Sequence, residues 1–155
     1  MCNLSECRDL VVHLLSTLPA MHSADSCSTE NALGTAIECA FTTLKEIGGK
    51  IVCFSWGLPT LGKGKLMNRM EASGNLKSDY DKLIKRGNNF FMDLAIMMTK
   101  YQIAVDLFQF QDRVQERYCD VSTVKAIARC SGGELFFCLV RCSDYVHYGV
   151  FTVII

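Results

Sequence analysis

The stretch GGKIVCFSWGLPTLGKGKL, residues 48–66, holds the junction that decides how this chain folds. Its first half, Lys50–Ser55, is a short apolar run rich in β-branched and aromatic residues, preceded by two glycines, which is the pattern of a buried strand. The second half turns at once into a loop. There Gly57 and Gly62-Lys63 stand at the spacing of the phosphate-binding P-loop, G-x-x-x-x-G-K-[ST], but Gly64 replaces the hydroxyl residue. Gly64 cannot hold a metal, and residues 65–75 keep no lasting helical period that would aim a helix N-terminus at a phosphate. Asp106 lies inside the next apolar run instead of at its end, where a second metal ligand belongs. A P-loop-like nucleotide-binding protein therefore stays an alternative. A loop turning off the end of a buried strand is the simpler reading.

Upstream, Leu10, Val11, Leu14, Leu15 and Leu18 mark one helical face that Pro19 should end. A stripe of Ala32, Leu33, Ala36, Ile37, Ala40, Phe41, Leu44 and Ile47 predicts a second helix, capped by Ser28 or Thr29 and closed by Gly48-Gly49. Downstream, a long helix is expected over residues 79–100, with Leu83, Ile84, Phe90, Phe91, Leu94, Ala95 and Met98 inward. A strand over 103–110 follows. Then comes a shorter helix opened by Asp120 or Ser122, carrying Val124, Ile127 and Ala128 and stopped by Gly132-Gly133, and a third strand over 134–140. This alternation predicts an α/β fold with a mainly parallel sheet in three layers. Three strands, and none before the first helix, fit the second half of a larger domain. The alternatives are a sheet completed by residues 145–155 or by a second copy of the chain, because the flank of strand Lys50–Ser55 otherwise lacks a partner.

Composition narrows the function. At 155 residues the chain is one domain in size, half hydrophobic, with 16 basic and 16 acidic side chains, a balance that argues against a dedicated nucleic-acid binder. Its 9 cysteines are odd in number and scattered without a C-x-x-C pair, and His13, His22 and His147 supply no cluster, so neither a zinc site nor a disulfide framework is expected. Cys39, Cys53 and Cys138 fall in apolar runs, where a thiol acts as a small hydrophobe. The apolar segment 10–15, interrupted by His13 and preceded by Glu6, Arg8 and Asp9, makes a poor signal peptide, and 146–155 is too short to span a bilayer. No G-x-S-x-G elbow or supported nucleophile is present, so no catalytic residue is expected. DSCST, residues 25–29, half resembles the D-x-S-x-S metal-adhesion motif of von Willebrand A-type domains, with Cys27 in place of the middle Ser; helix capping is the simpler role. A generic von Willebrand A-type ligand-binding module is the second alternative. Basic residues gather at Lys63, Lys65 and Arg69, and again at Lys77, Lys82, Lys85 and Arg86. They are a solvated face, or a patch turned toward anionic lipid or an acidic partner.

Taken in order, SECRDLVVHLLSTLPAM (5–21), NALGTAIECAF (31–41), GGKIVCF (48–54), LPTLGKGKL (58–66) with Arg69, AVDLF (104–108) and SGGELFF (131–137) resemble the trunk domain of the COPII inner-coat cargo adaptor. The loop LPTLGKGKL is the most specific of these motifs and favours the cargo-adaptor branch over its sister subunit, whose loop reads GGPCTxGPG. The resemblance implies a von Willebrand A-like (Rossmann-like) trunk with strand order 3-2-1-4-5-6, of which this chain carries strands 4-5-6 as an incomplete half-domain. Residues 1–140 are the partial trunk domain, and the match is lost after about Val140, which leaves 141–155 as a divergent apolar tail.

The resemblance further implies a non-enzymatic coat component in transport from the endoplasmic reticulum to the Golgi. Such a component provides scaffold, subunit interface and a membrane-facing surface. Implied partners are the sister inner-coat subunit as a heterodimer, a small coat GTPase and the outer coat indirectly, export cargo in the full-length protein, and a peripheral membrane surface at exit sites and vesicles, with no nucleic acid. Zinc is expected only in the family's upstream C-x-x-C ribbon, which is not in this sequence, so no cofactor is expected here. The candidate interface or membrane-facing residues are Leu58, Leu61, Lys63, Lys65, Arg69, Lys82, Lys85 and Arg86.

Overall fold

The computed structural model describes residues 5–21, 30–70, 81, 83–112, 118–140 and 152–154. Four strands form the sheet: β1 (Gly49–Trp56), β2 (Ile103–Asp112), β3 (Leu135–Val140) and β4 (Thr152–Ile154), in the order β3-β2-β1-β4. β1 pairs with β2 and β2 with β3 in parallel, as the helix–strand alternation predicts. In these ladders Ile51 lies opposite Val105 and Cys53 opposite Leu107, so residues of like parity share one face. On that face Ile51, Cys53, Val105 and Leu107 are wholly buried. They pack against α2 (Leu33–Leu44), α3 (Phe90–Lys100) and α4 (Val121–Ser131) through Leu33, Ile37, Phe91, Met98, Val124 and Ile127.

The opposite face is different in kind. It carries an aromatic stack, with Phe54 5.0 Å from Phe108, Phe108 4.5 Å from Phe136, and Trp56 6.5 Å from Phe110 between ring centroids. Alternate strand residues here include Phe54, Trp56, Phe108 and Phe110, so β1 and β2 carry large apolar residues on both faces even though the described helices α2–α4 cover one face.

β4 pairs antiparallel with β1, Val52 opposite Ile154 and Phe54 opposite Thr152, and so occupies part of the flank that the sequence left without a neighbour. Residues after 140 thus take a place in the sheet, while 141–151 and 155 lie outside the described residues.

Several helix limits differ from expectation. α1 (Arg8–Met21) continues through Pro19, and Leu10, Leu14 and Leu15 on its expected buried face are exposed. α2 begins at Leu33, whose N–H donates to Oδ1 of Asn31 at 2.9 Å; Ser28 and Thr29, the expected caps, lie outside the described residues. It ends at Leu44, where the N–H of Gly48, at φ +72°, returns to the Leu44 carbonyl, and this leaves Ile47 exposed. Cys39, expected among buried thiols, is on the outer side of α2 and exposed, whereas Cys53 is buried.

The long helix expected over 79–100 is interrupted, and α3 starts only at Phe90. The physical reason is competition for backbone donors: the N–H of Gly87 goes to Oγ1 of Thr123 at 2.7 Å and that of Phe90 to Oδ1 of Asn88. Ile84 is consequently 68% exposed instead of inward. α4 is opened by Asp120, whose carboxylate accepts from the Thr123 N–H, as predicted, and closed by Gly132 in the left-handed region.

Candidate interface site

The loop that follows β1 is built around Asn31. The Asn31 carbonyl accepts from the N–H groups of Thr60 and Leu61 at 2.8 and 3.0 Å, and its own N–H donates to Oγ1 of Thr60. Its side-chain amide donates to Oγ of Ser55 and to the Trp56 carbonyl, both at 3.0 Å, so one buried side chain ties the end of β1 to the start of α2. The Lys63 N–H donates to Oγ1 of Thr35, and the Leu66 N–H to the Pro59 carbonyl at 2.7 Å.

The glycines belong to this packing. A side chain at Gly34 would strike the Lys63 carbonyl, and one at Gly64, where φ is +71°, would strike the rings of Phe90 and Phe91. A phosphate cradle needs loop N–H groups free to face the ligand. Here those of Thr60, Leu61, Lys63 and Leu66 are consumed inside the protein, and the space beside Gly64 is filled by aromatic rings. The nucleotide reading does not survive this geometry. The DSCST segment at 25–29 lies outside the described residues, and among the described residues no group of three His, Cys, Asp or Glu side chains is placed to hold a metal ion.

Arg69 is the residue whose role the fold changes most. Expected at the surface, it turns inward and serves as a clamp. Nη2 pairs with Oδ1 of Asp120 at 2.7 Å, where the Asp120 side chain is 1% exposed, and also donates to Oγ of Ser122 and the Leu83 carbonyl. Nη1 donates to the Lys85 carbonyl at 2.9 Å and Nε to the Tyr118 hydroxyl at 3.2 Å. Burial works against the guanidinium charge, but the hydrogen bonds to Tyr118 and Asp120, with the charge of Asp120, outweigh it and hold the Arg69 pKa above its ordinary value. Burial raises the Tyr118 pKa, which the Arg69 hydrogen bond partly opposes.

The other expected interface residues sort by exposure. Leu58 is half-buried against the core, and Leu61 is exposed. Lys63 is exposed and paired with Glu38 at 2.8 Å, an ion pair of small energetic weight in water. Lys65, Lys85 and Arg86 are exposed, and Lys82 lies outside the described residues. The fold joins the two basic segments: Nδ2 of Asn88 donates to the Lys65 carbonyl, and Arg69 grips the Lys85 carbonyl. Sequence reading missed Asn31, Tyr118 and Asp120 as partners of this loop. A lone Asn before a helix and an Asp at a cap carry no local mark of contacts with the loop, whose residues lie 29 to 51 positions away.

The family described as "Sec23/Sec24 trunk domain" matches residues 1–140 of this chain. The chain belongs to that family. Among curated proteins it is similar to the Arabidopsis thaliana protein transport protein SEC24 A, 31% identical over 136 residues, and to human protein transport protein Sec24A, 35% identical over 135 residues. These alignments cover 87% of this chain but 13% and 12% of the respective relatives, so the chain spans a small part of their length. Among solved structures it is similar to the human COPII-coat protein Sec24c, with a TM-score of 0.76 and 27% identity, covering 90% of this chain and 18% of that one. The α/β trunk fold therefore stands, and these relatives are Sec24 proteins, the branch that LPTLGKGKL favours. No helix among the described residues is long and apolar enough to cross a membrane.

Proposed function

We propose that this Sec24-like trunk segment is a non-enzymatic component of a COPII-type coat acting in transport from the endoplasmic reticulum to the Golgi. It contributes scaffold and a subunit or membrane-facing surface. The observation that carries the reading is the Leu58–Arg69 loop: its backbone N–H groups at Thr60, Leu61, Lys63 and Leu66 are spent on Asn31, Thr35 and Pro59, and the side chains of Leu61, Lys63 and Lys65 face outward. A loop of this kind is a contact surface and not a reaction cleft. Lys85 and Arg86 extend the surface, and Arg69 supports it from within. Partners in this reading are the Sec23-type sister subunit, directly, and the coat GTPase and outer coat through it. Export cargo belongs to the full-length protein, and the site of action is the cytoplasmic side of endoplasmic-reticulum exit sites and vesicles.

The test places this segment in a full-length Sec24 host in place of the matching trunk segment. Co-purification with the Sec23-type subunit is expected, with Lys63→Glu/Lys65→Glu lowering the yield of complex at physiological salt. Loss of association in the unmutated chimera, with the chimera folded by circular dichroism, would overturn the reading.

A further inference from the structure

β3 stands at the margin of the sheet, with β2 on one side and no strand on the other among the described residues. The Leu107 N–H donates to the Glu134 carbonyl at 2.8 Å, and Leu107 lies in register with Leu135. In a parallel ladder the residues of a strand that bond to its neighbour alternate with residues that face away. Phe136 and Cys138 therefore turn their backbone N–H and C=O groups to β2, whereas Leu135, Phe137 and Leu139 turn theirs to the open edge.

Edge strands are ordinarily blunted by a charge, a proline or a bulge. β3, LFFCLV, carries no charged residue and no proline, and it pairs with β2 residue for residue without a bulge. Nor does a helix overhang it. Phe137 and Leu139 share the face covered by α2–α4, yet they are 44% and 61% exposed, so the helical layer stops short of this edge. On the opposite face Phe136, 38% exposed, ends the row of rings that runs from Phe54 through Phe108.

We propose that this edge pairs with the β3 edge of a second copy of the chain, antiparallel about a two-fold axis through Phe137. A partner for the edge must bring a free, uncharged strand edge that is apolar on both faces, and a second copy supplies one. A two-fold axis normal to the sheet keeps the aromatic face on the same side in both copies. Phe137 then lies opposite Phe137 of the second copy and Leu135 opposite its Leu139, and the outward backbone groups of these residues close about six ladder hydrogen bonds. Phe136 stands diagonal to its counterpart, within reach of an aromatic contact, which carries the row of rings across the junction. Charge fixes the direction. Glu134, exposed just before β3, would face its own counterpart in a parallel pair, whereas the antiparallel register holds the two carboxylates about 20 Å apart. The exposed parts of Phe136, Phe137 and Leu139 offer on the order of 250–300 Å² per copy, against about 800 Å² in a standard interface, so the dimer is weak and depends on concentration. The proposal goes beyond the coat reading and needs no Sec23-type subunit, so its failure leaves that reading untouched.

The experiment is sedimentation equilibrium of the 155-residue chain over about 1–300 μM, with hydrogen exchange of β3 read by mass spectrometry at both ends of that range. A reversible monomer–dimer equilibrium with a Kd of about 10–100 μM is expected, and the β3 amides should exchange about threefold more slowly at the high concentration. Leu139→Lys sets a charge on the edge and should weaken the dimer by roughly tenfold or more. Phe137→Pro removes an outward N–H and no bond of the β2–β3 ladder, a position where an edge strand tolerates proline. It should leave no detectable dimer while the far-UV circular dichroism stays that of the folded chain. Where Phe137→Pro loses the fold, Leu139→Lys carries the test. A chain that stays monomeric at the highest concentration overturns the proposal. So does a dimer indifferent to the folded edge variants, and so do open-ended polymers, which a two-fold contact cannot build.

Discussion

Replacing Arg69 by Met keeps the aliphatic stem and removes every donor of the clamp. The Asp120 carboxylate, 1% exposed, would keep its bond from the Thr123 N–H but lose its only ion-pair partner among the described residues. Among the described residues its Oδ2 has no hydrogen-bond partner to begin with, and the Lys85 carbonyl would lose its Arg69 donor. Breaking a buried pair from one side costs about 3–5 kcal/mol. The Arg69 side chain is 24% exposed, so water reaches part of the site and the expected loss sits at the lower end, about 3 kcal/mol. For a chain of 155 residues that corresponds to a fall in Tm of roughly 6–12 °C.

Urea unfolding followed by far-UV circular dichroism at pH 7 measures the loss, provided the m-value is unchanged. In the double variant Arg69→Met/Asp120→Asn the buried charge is gone while an N-cap oxygen remains, so about 2 kcal/mol should return as coupling energy. A single-variant loss below about 0.5 kcal/mol, or strict additivity of the two substitutions, would refute the clamp.

Gly34→Ala places a methyl group against the Lys63 carbonyl and the Phe90 ring, and a backbone oxygen cannot yield as a flexible side chain would. Helix propensity favours Ala over Gly by up to about 1 kcal/mol, so a net destabilisation of about 1–3 kcal/mol in the same urea assay isolates the clash; net stabilisation would mean the loop does not press on α2. Burial pushes the thiol pKa of Cys53 up to about 12, and burial together with the charge of Asp120 does the same for Cys119. Their thiolate fraction at neutral pH is then on the order of one in ten thousand or less, so iodoacetamide with peptide mapping should mark the exposed Cys39 and Cys130 first and reach Cys53 and Cys119 only on unfolding; equal rates in the folded chain would contradict the burial.

Exposure was the legible part of the candidate site. Leu61, Lys63, Lys65, Lys85 and Arg86 are exposed, as a polar loop and a basic run suggest. Arg69 was not legible as a clamp, because its partners lie between 14 and 53 residues away, and a guanidinium on a loop looks the same whether or not a buried carboxylate waits for it. The open edge of β3 went unremarked for a related reason. In the sequence it is one more apolar run, and only the order β3-β2-β1-β4 leaves it at the margin.

What the sequence by itself determined is local. The apolar runs become β1, β2 and β3, with glycines flanking β1 and preceding β3, because strand and turn preferences are settled within a few residues. The inward faces of α2, α3 and α4 follow from helical periodicity, and the Asp120 cap from its hydrogen bond three residues along. Tertiary structure decided what depends on competition between distant groups. The expected long helix breaks at 87–89 because Thr123, 36 residues away, takes the Gly87 N–H. One face of the sheet receives helices and the other an aromatic stack, although β1 and β2 carry large apolar residues on both faces. The glycines of GGKIVCFSWGLPTLGKGKL, spaced like a phosphate loop, serve close packing, because Asn31, Thr35 and Phe90 reach that space first.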